Sequence, residues 1–275
     1  MSNNLVNVLQ YLSDLHSDGY ATRTVNVHRS MLSMTLDPLD GRNIGEHPMV
    51  IQLMKGCYNA NPPRPRYDST WDPAVVLDHL ASLGNDQSLD LPQLSRKLVT
   101  VLALATLMRT AELASISSPS VSFPPSGVSF SLSRLRKKQT SGSLQSFSLP
   151  SFDNSLVCPV ACCREYCSRT GSLRHPSCSS LFIITKKPHT AAAPATLGSW
   201  IKSCISDAGI DSTIFSAHST RGAGASKAAA SGVAIEAILN AASWSSELTF
   251  TRHYHRPFTS PDPVPVAILS QTSSR

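Results

Sequence analysis

Between Asn61 and Tyr67 the chain reads Asn-Pro-Pro-Arg-Pro-Arg-Tyr, with prolines at 62, 63 and 65. Proline lacks an amide hydrogen, and its ring collides with the carbonyl one turn back, so no helix runs through this stretch. Residues 61–70 are therefore expected to form a stiff, extended, basic linker between a smaller domain (1–60) and a larger one (71–275). The other option is a surface loop inside a single domain. A chain of 275 residues accommodates either.

On the short side, Leu5, Val8, Leu9, Leu12 and Leu15 recur at helical spacing and Gly19 follows as a stop. Thr22 is expected to cap a second helix that presents Val27, Met31 and Met34 on one face. Pro48 opens a short third helix expected to end near Gly56. On the long side, Asp72-Pro73 pairs a cap with a proline at the first helical position, and Gly84 ends that helix. Leu94, Leu98, Leu102 and Ala105 form an apolar helix leading to Arg109. Val128, Phe130 and Leu132 alternate with polar residues, Ser141-Gly142 offers a turn, and Leu144 to Leu149 returns, which predicts a β-hairpin. Leu181 to Ile184 reads as another short strand. From Thr196 to Tyr254 the pattern is helical, broken at Gly209 and Gly232. The fold class is therefore mainly α, of the α+β type, with a small antiparallel sheet.

A hydrophobic content of 41% supports a core. No apolar run reaches the length of a membrane span, and residues 1–10 do not resemble a secretory signal. The expected location is nuclear or cytoplasmic, with the seven cysteines mostly reduced. A net charge of +6 favours a polyanionic partner.

The chemistry-bearing residues are spread along the long side. His218 and Arg221, three apart, share a helix face. Arg109 and Glu112 lie upstream, the hairpin carries Arg136-Lys137-Lys138, and Trp244 and Tyr254 follow. Metal-free cleavage of a phosphodiester needs such a set. Two guanidiniums grip the non-bridging oxygens in forked hydrogen bonds. Preplaced donors meet the developing charge. A side-chain nucleophile keeps the bond energy in a covalent intermediate, and an acid protonates the departing sugar oxygen.

In order and spacing, Arg109-Thr110-Ala111-Glu112-Leu113, the hairpin lysine, His218-Ser219-Thr220-Arg221, Trp244 and Tyr254 resemble the tyrosine recombinases, the phage-integrase family. Trp244 stands where many members carry histidine and Cre-like members tryptophan. The text from Trp244 to Pro257 most resembles recombinases of DIRS-like retrotransposons, and the segment up to Tyr254 is one residue longer than in Cre-like enzymes. The resemblance implies a helical core-binding domain, which begins midway and is either reduced or truncated, followed by a catalytic domain. It implies site-specific recombination or integration of double-stranded DNA, in a transposable-element setting, by a homotetramer that uses no cofactor and no metal.

It further implies that Tyr254 attacks the scissile phosphate to give a 3′-phosphotyrosyl link. Arg109 and Arg221 hold the oxygens, His218 and Trp244 donate to or buttress the phosphate, and Lys137 protonates the leaving 5′ oxygen. Glu112 orients an active-site partner from behind. Adjacent strand residues point to opposite faces, so Lys138 stays open as the alternative acid. Arg23, Arg29, Lys55, Arg64, Arg66 and Lys138 are candidate DNA contacts, of the kind that set register on a duplex. A recombinase-like DNA-binding protein without strand transfer, and a type IB topoisomerase, are the competing functions. Cys158, Cys162, Cys163, Cys167 and Cys178 lack paired zinc-ligand spacing, and a packed helix face explains Cys163 and Cys167. Gly222 to Lys227 lacks the ending of a phosphate loop and reads as small residues for close helix packing.

Overall fold

The computed structural model describes residues 4–62, 67–137, 139 and 141–258. Arg64, Arg66 and Lys138 lie outside the described residues, as does part of the expected linker. The chain divides into two compact units, Met1–Arg66 and Tyr67–Arg275.

The first unit holds α1 (Leu5–Ser17), α2 (Thr22–Thr35) and α3 (Pro48–Ala60). Asn4 caps α1 by accepting the Val6 amide at 2.9 Å. Val8, Leu12, Val25, Ile44, Val50 and Met54 close the core. Two expectations change here, and the shared face of α2 is assigned a side. Ala21, not Thr22, is the cap of α2, and the Thr22 hydroxyl instead donates to the carbonyls of Cys57 and Asn61. The face of Val27, Met31 and Met34 points to solvent, Met34 being 87% exposed, while Val25 and Leu32 face the core. α3 also runs through Gly56 to Ala60, because nothing there requires a left-handed backbone.

The second unit contains α4 (Pro73–Ser82), α5 (Leu91–Thr106), α6 (Thr110–Ala114), β1 (Gly127–Ser131), β2 (Ser146–Pro150), α7 (Pro159–Thr170), α8 (Pro194–Asp207), α9 (Ser219–Ala230), α10 (Ile235–Ala242) and α11 (Glu247–His253). Asp72 caps α4, and Asp90 with Gln93 forms a reciprocal capping box on α5. β1 and β2 pair antiparallel with Phe130 opposite Phe147. The expected strand at Leu181 to Ile184 is reduced to isolated bridges, Ile183 with Ala191 beside it, too short a ladder to extend the sheet.

α5 is the centre of the unit. Its Leu94, Leu98, Val99, Leu102 and Ala103 pack with Trp71 and Leu80 on one side and Tyr166, Phe182, Leu197 and Ile201 on others. Gly224 lets α9 lie against the end of α5, since a Cβ there would come within 2.7 Å of Leu107 Cδ2 and 3.3 Å of the Leu104 carbonyl oxygen. A smaller cluster of Leu107, Ala225, Ile238, Trp244 and Phe250 joins the end of α5 to α9, α10 and α11. Among the described residues no helix is long and apolar enough to cross a membrane.

Candidate active site

Two left-handed turns at non-glycine residues aim the site. Leu107 (φ 53°) ends α5, and the chain turns so that Arg109 becomes the cap residue of α6. Ser243 (φ 52°) ends α10, where the Trp244 amide reaches back to the Leu239 carbonyl at 2.9 Å and that of Ser243 to Asn240 at 3.1 Å. This double closure is a Schellman ending, and it delivers the Trp244 side chain beside the end of α11. Burial of the Leu107 side chain in the same cluster as Trp244 compensates for a backbone region that side chains disfavour.

Tyr254 follows α11 directly. Its hydroxyl lies 3.2 Å from His218 Nε2. Its ring stacks on Trp244 with centroids 4.1 Å apart and planes inclined by 23°. The Tyr254 carbonyl accepts the Ser226 hydroxyl at 2.9 Å, which ties the end of α11 to α9. Five residues before Ser226 on that helix, Arg221 places its guanidinium carbon 5.2 Å from the Trp244 ring and 5.9 Å from the Tyr254 ring.

Arg221 is 1% exposed. One nitrogen donates to the Ala242 carbonyl at 2.5 Å, while among the described residues Nε and Nη1 have no hydrogen-bond partner, and neither has Trp244 Nε1. Burial first, then repulsion from Arg109, lowers the Arg221 pKa to about 10. Arg109, His218 and Arg221 line one cleft of about 250 Å³, floored by Gly198 and Ala217.

Behind Arg109 sits a carboxylate shared by two guanidiniums. Glu112 accepts Arg109 Nη1 at 2.9 Å and the Arg109 amide at 2.8 Å. It also accepts Arg136 Nε at 3.0 Å and Nη2 at 3.2 Å. Burial opposes its charge, but the Arg136 hydrogen bonds, the Arg109 amide and both positive charges hold its pKa below the ordinary glutamate value. Lys137 is exposed and lines a neighbouring cleft of about 580 Å³ with Arg109, Glu112 and Arg134.

Set beside solved structures, the chain matches the XerH site-specific recombinase bound to palindromic difH substrate in a post-cleavage complex, with TM-score 0.62 and 13% identity over 92% of this chain and 69% of that one. It matches the Tn1549 transposon integrase in complex with transposon right end DNA, with TM-score 0.59 and 13% identity over 99% and 86%. It also matches a lambda integrase tetramer bound to a Holliday junction, with TM-score 0.53 and 12% identity over 95% and 68%. No family model and no curated protein sequence matches. The chain has the tyrosine-recombinase fold.

Within that recombinase fold, Arg109, His218, Arg221, Trp244 and Tyr254 converge, although Arg109 and Tyr254 stand far apart in sequence. Lys137 faces the Arg109 side of the site rather than touching Tyr254 in any described contact. Glu112 stands behind Arg109. In the first unit, Arg23, Arg29 and Lys55 line one groove of about 540 Å³ together with Asn26, Tyr58 and Asn59. His255 is exposed and stacks on Phe250 with planes at 14°. The residue that sequence reasoning left without a role is Arg136. It sits in a run of basic residues, and its signal, a carboxylate partner 24 residues upstream, exists only in three dimensions.

Proposed function

We propose that the protein is a site-specific DNA recombinase that cleaves and rejoins duplex DNA through a 3′-phosphotyrosyl intermediate on Tyr254. The observation that carries this reading is the meeting of Tyr254 Oη and His218 Nε2 beside Arg221, whose Nε and Nη1 are buried without a hydrogen-bond partner among the described residues. A buried cation with open donors is costly unless an anion completes it. A scissile phosphate supplies that anion.

The chemistry then follows from the positions. The Tyr254 oxygen attacks phosphorus while its proton passes to His218 Nε2. Arg221 and Arg109 hold the non-bridging oxygens, and the Trp244 indole N–H donates to one of them. The bond from phosphorus to the 5′ oxygen breaks, and Lys137 gives that oxygen its proton. Attack of another strand's 5′ hydroxyl on the phosphotyrosine reverses these transfers and rejoins the DNA. The groove of Arg23, Arg29 and Lys55 in the first unit fits contact with a duplex backbone, which makes residues 1–60 the core-binding domain of this reading. Assembly as a tetramer on DNA is part of the same proposal, in line with the lambda integrase assembly.

The test is a nicked duplex taken from the DNA flanking the gene, incubated with wild type and Tyr254→Phe and run on a denaturing gel. A protein–DNA adduct in the wild type alone supports the reading. Salt-sensitive binding without adduct supports a DNA-binding protein instead. Relaxation of any supercoiled plasmid regardless of sequence supports a topoisomerase.

A further inference from the structure

Arg136 makes more contacts than any role given to it so far requires. It is 3% exposed, although it belongs to the loop that joins β1 to β2. Nε and Nη2 hold both oxygens of Glu112. Nη1 donates to Gln145 Oε1 at 3.1 Å, on the opposite arm of the hairpin. Both terminal nitrogens reach the Ala241 carbonyl at 3.4 and 3.5 Å, at the last turn of α10. Arg221 binds the next carbonyl along, Ala242.

The hairpin's cross-strand backbone bonds reach as far as the Leu132 amide and the Gln145 carbonyl, at 3.1 Å. Beyond that point one buried guanidinium fastens the loop to α6 and α10 together. Its chain neighbour is Lys137, exposed and lining the Arg109 cleft. A lysine on an unfastened loop would spread its ammonium over many positions, and a misplacement of about 1 Å costs on the order of 10²-fold in rate.

We propose that Arg136 is a positioning residue that holds Lys137 at the leaving 5′ oxygen. This rests on the recombinase reading. It assigns to Arg136 no contact with DNA.

The experiment compares two nicked duplexes, one with the ordinary 5′ oxygen at the scissile phosphate and one with a bridging sulfur there. A thiolate leaves without needing a proton, so the sulfur substrate bypasses the acid. Arg136→Gln should slow cleavage of the oxygen substrate on the order of 10²-fold and regain a near wild-type rate on sulfur, with DNA affinity unchanged. Arg136→Gln combined with Lys137→Ala should be no slower than Lys137→Ala alone, because a residue that acts only through Lys137 has nothing left to position. Arg136→Lys keeps the charge beside Glu112 but cannot span Gln145 and Ala241 at once. It should show the same sulfur rescue in milder form, and it carries the test if the glutamine variant does not fold. Equal slowing on both substrates, a double variant slower than the single, or a Lys137→Ala as fast as wild type each overturns the proposal while leaving the recombinase reading intact. A wild type that forms no adduct on either substrate overturns both.

Discussion

Replacing Arg221 by methionine separates the cost of the site from its use. Arg221 is 1% exposed and leaves two nitrogens without a hydrogen-bond partner among the described residues. Its pKa is lowered to about 10, chiefly through burial and then through repulsion from Arg109. At 1.36 kcal/mol per tenfold, the charged form is disfavoured by roughly 3 kcal/mol. A cation whose folded pKa lies below its unfolded value weakens the fold at every pH below about 10, and the penalty lifts only as pH rises from there towards the ordinary arginine value. An assay near neutral pH therefore reads it whole. Against this gain, methionine abandons the buried Ala242 carbonyl, which costs about 1–3 kcal/mol. The net change for Arg221→Met lies between about zero and 2 kcal/mol in favour of the folded state. The melting temperature should stay level or rise by a few degrees, whereas truncating an ordinary buried large side chain costs about 2–5 kcal/mol. Scanning calorimetry with and without inorganic phosphate completes the test. Phosphate should raise Tm in wild type and leave Arg221→Met unmoved. A fall of more than about 5 °C in the anion-free variant would refute the view that this guanidinium is an uncompensated charge waiting for an anion.

Three other outcomes are expected. Glu112→Gln removes a carboxylate held by two guanidiniums and should cost about 3 kcal/mol at neutral pH. Because the Glu112 pKa is lowered on folding, its contribution is present above the unfolded value of about 4.3 and fades as pH drops through the folded one, so the variant should show a shallower acid limb in Tm against pH. Trp244→Phe keeps an aromatic ring against Tyr254 but loses the indole N–H. Adduct formation should slow on the order of 10²-fold with a Tm near wild type, and unchanged kinetics would remove Trp244 from the phosphate-binding set. Met34→Lys, on the solvent face of α2, should shift stability by less than about 0.5 kcal/mol, while Leu12→Ala in the first unit's core should cost about 2–5 kcal/mol. Urea melts of both variants decide whether the face has been placed correctly.

Much of the fold was written in local signals. Asp72-Pro73 and Asp90 start helices where they stand because their side chains accept the free amides of the first turn. Gly84, Gly209 and Gly232 end helices because each takes a positive φ. The alternation at Val128, Phe130 and Leu132 gave β1, since every second side chain enters the core. The face of α2 was not legible. Val25, Val27, Met31, Leu32 and Met34 spread over about half of the helix circumference, so periodicity cannot choose between them, and packing against α1 and α3 does. Leu181 to Ile184 looked like a strand because a short apolar run is what a buried irregular segment also shows. At the site, residue identity and order pointed to Arg109, His218, Arg221, Trp244 and Tyr254. Burial of Arg221 and the anchoring by Arg136 were invisible, because basic residues in sequence do not announce which of them is buried.

The charge arrangement gives the site a preference that no single residue explains. Arg109, Arg136 and Arg221 face only one carboxylate, Glu112, among the contacts described for them. Three guanidiniums against one carboxylate leave two positive charges at the site. Attack on phosphorus adds a second negative charge to the oxygens, so on the proposed chemistry the pocket is closer in charge to the transition state than to the substrate. Interactions that strengthen only as the reaction proceeds raise the rate rather than the affinity. The same imbalance weakens the anion-free fold, which is why the cost of Arg221 and the rate of strand cleavage should fall together when that residue is replaced.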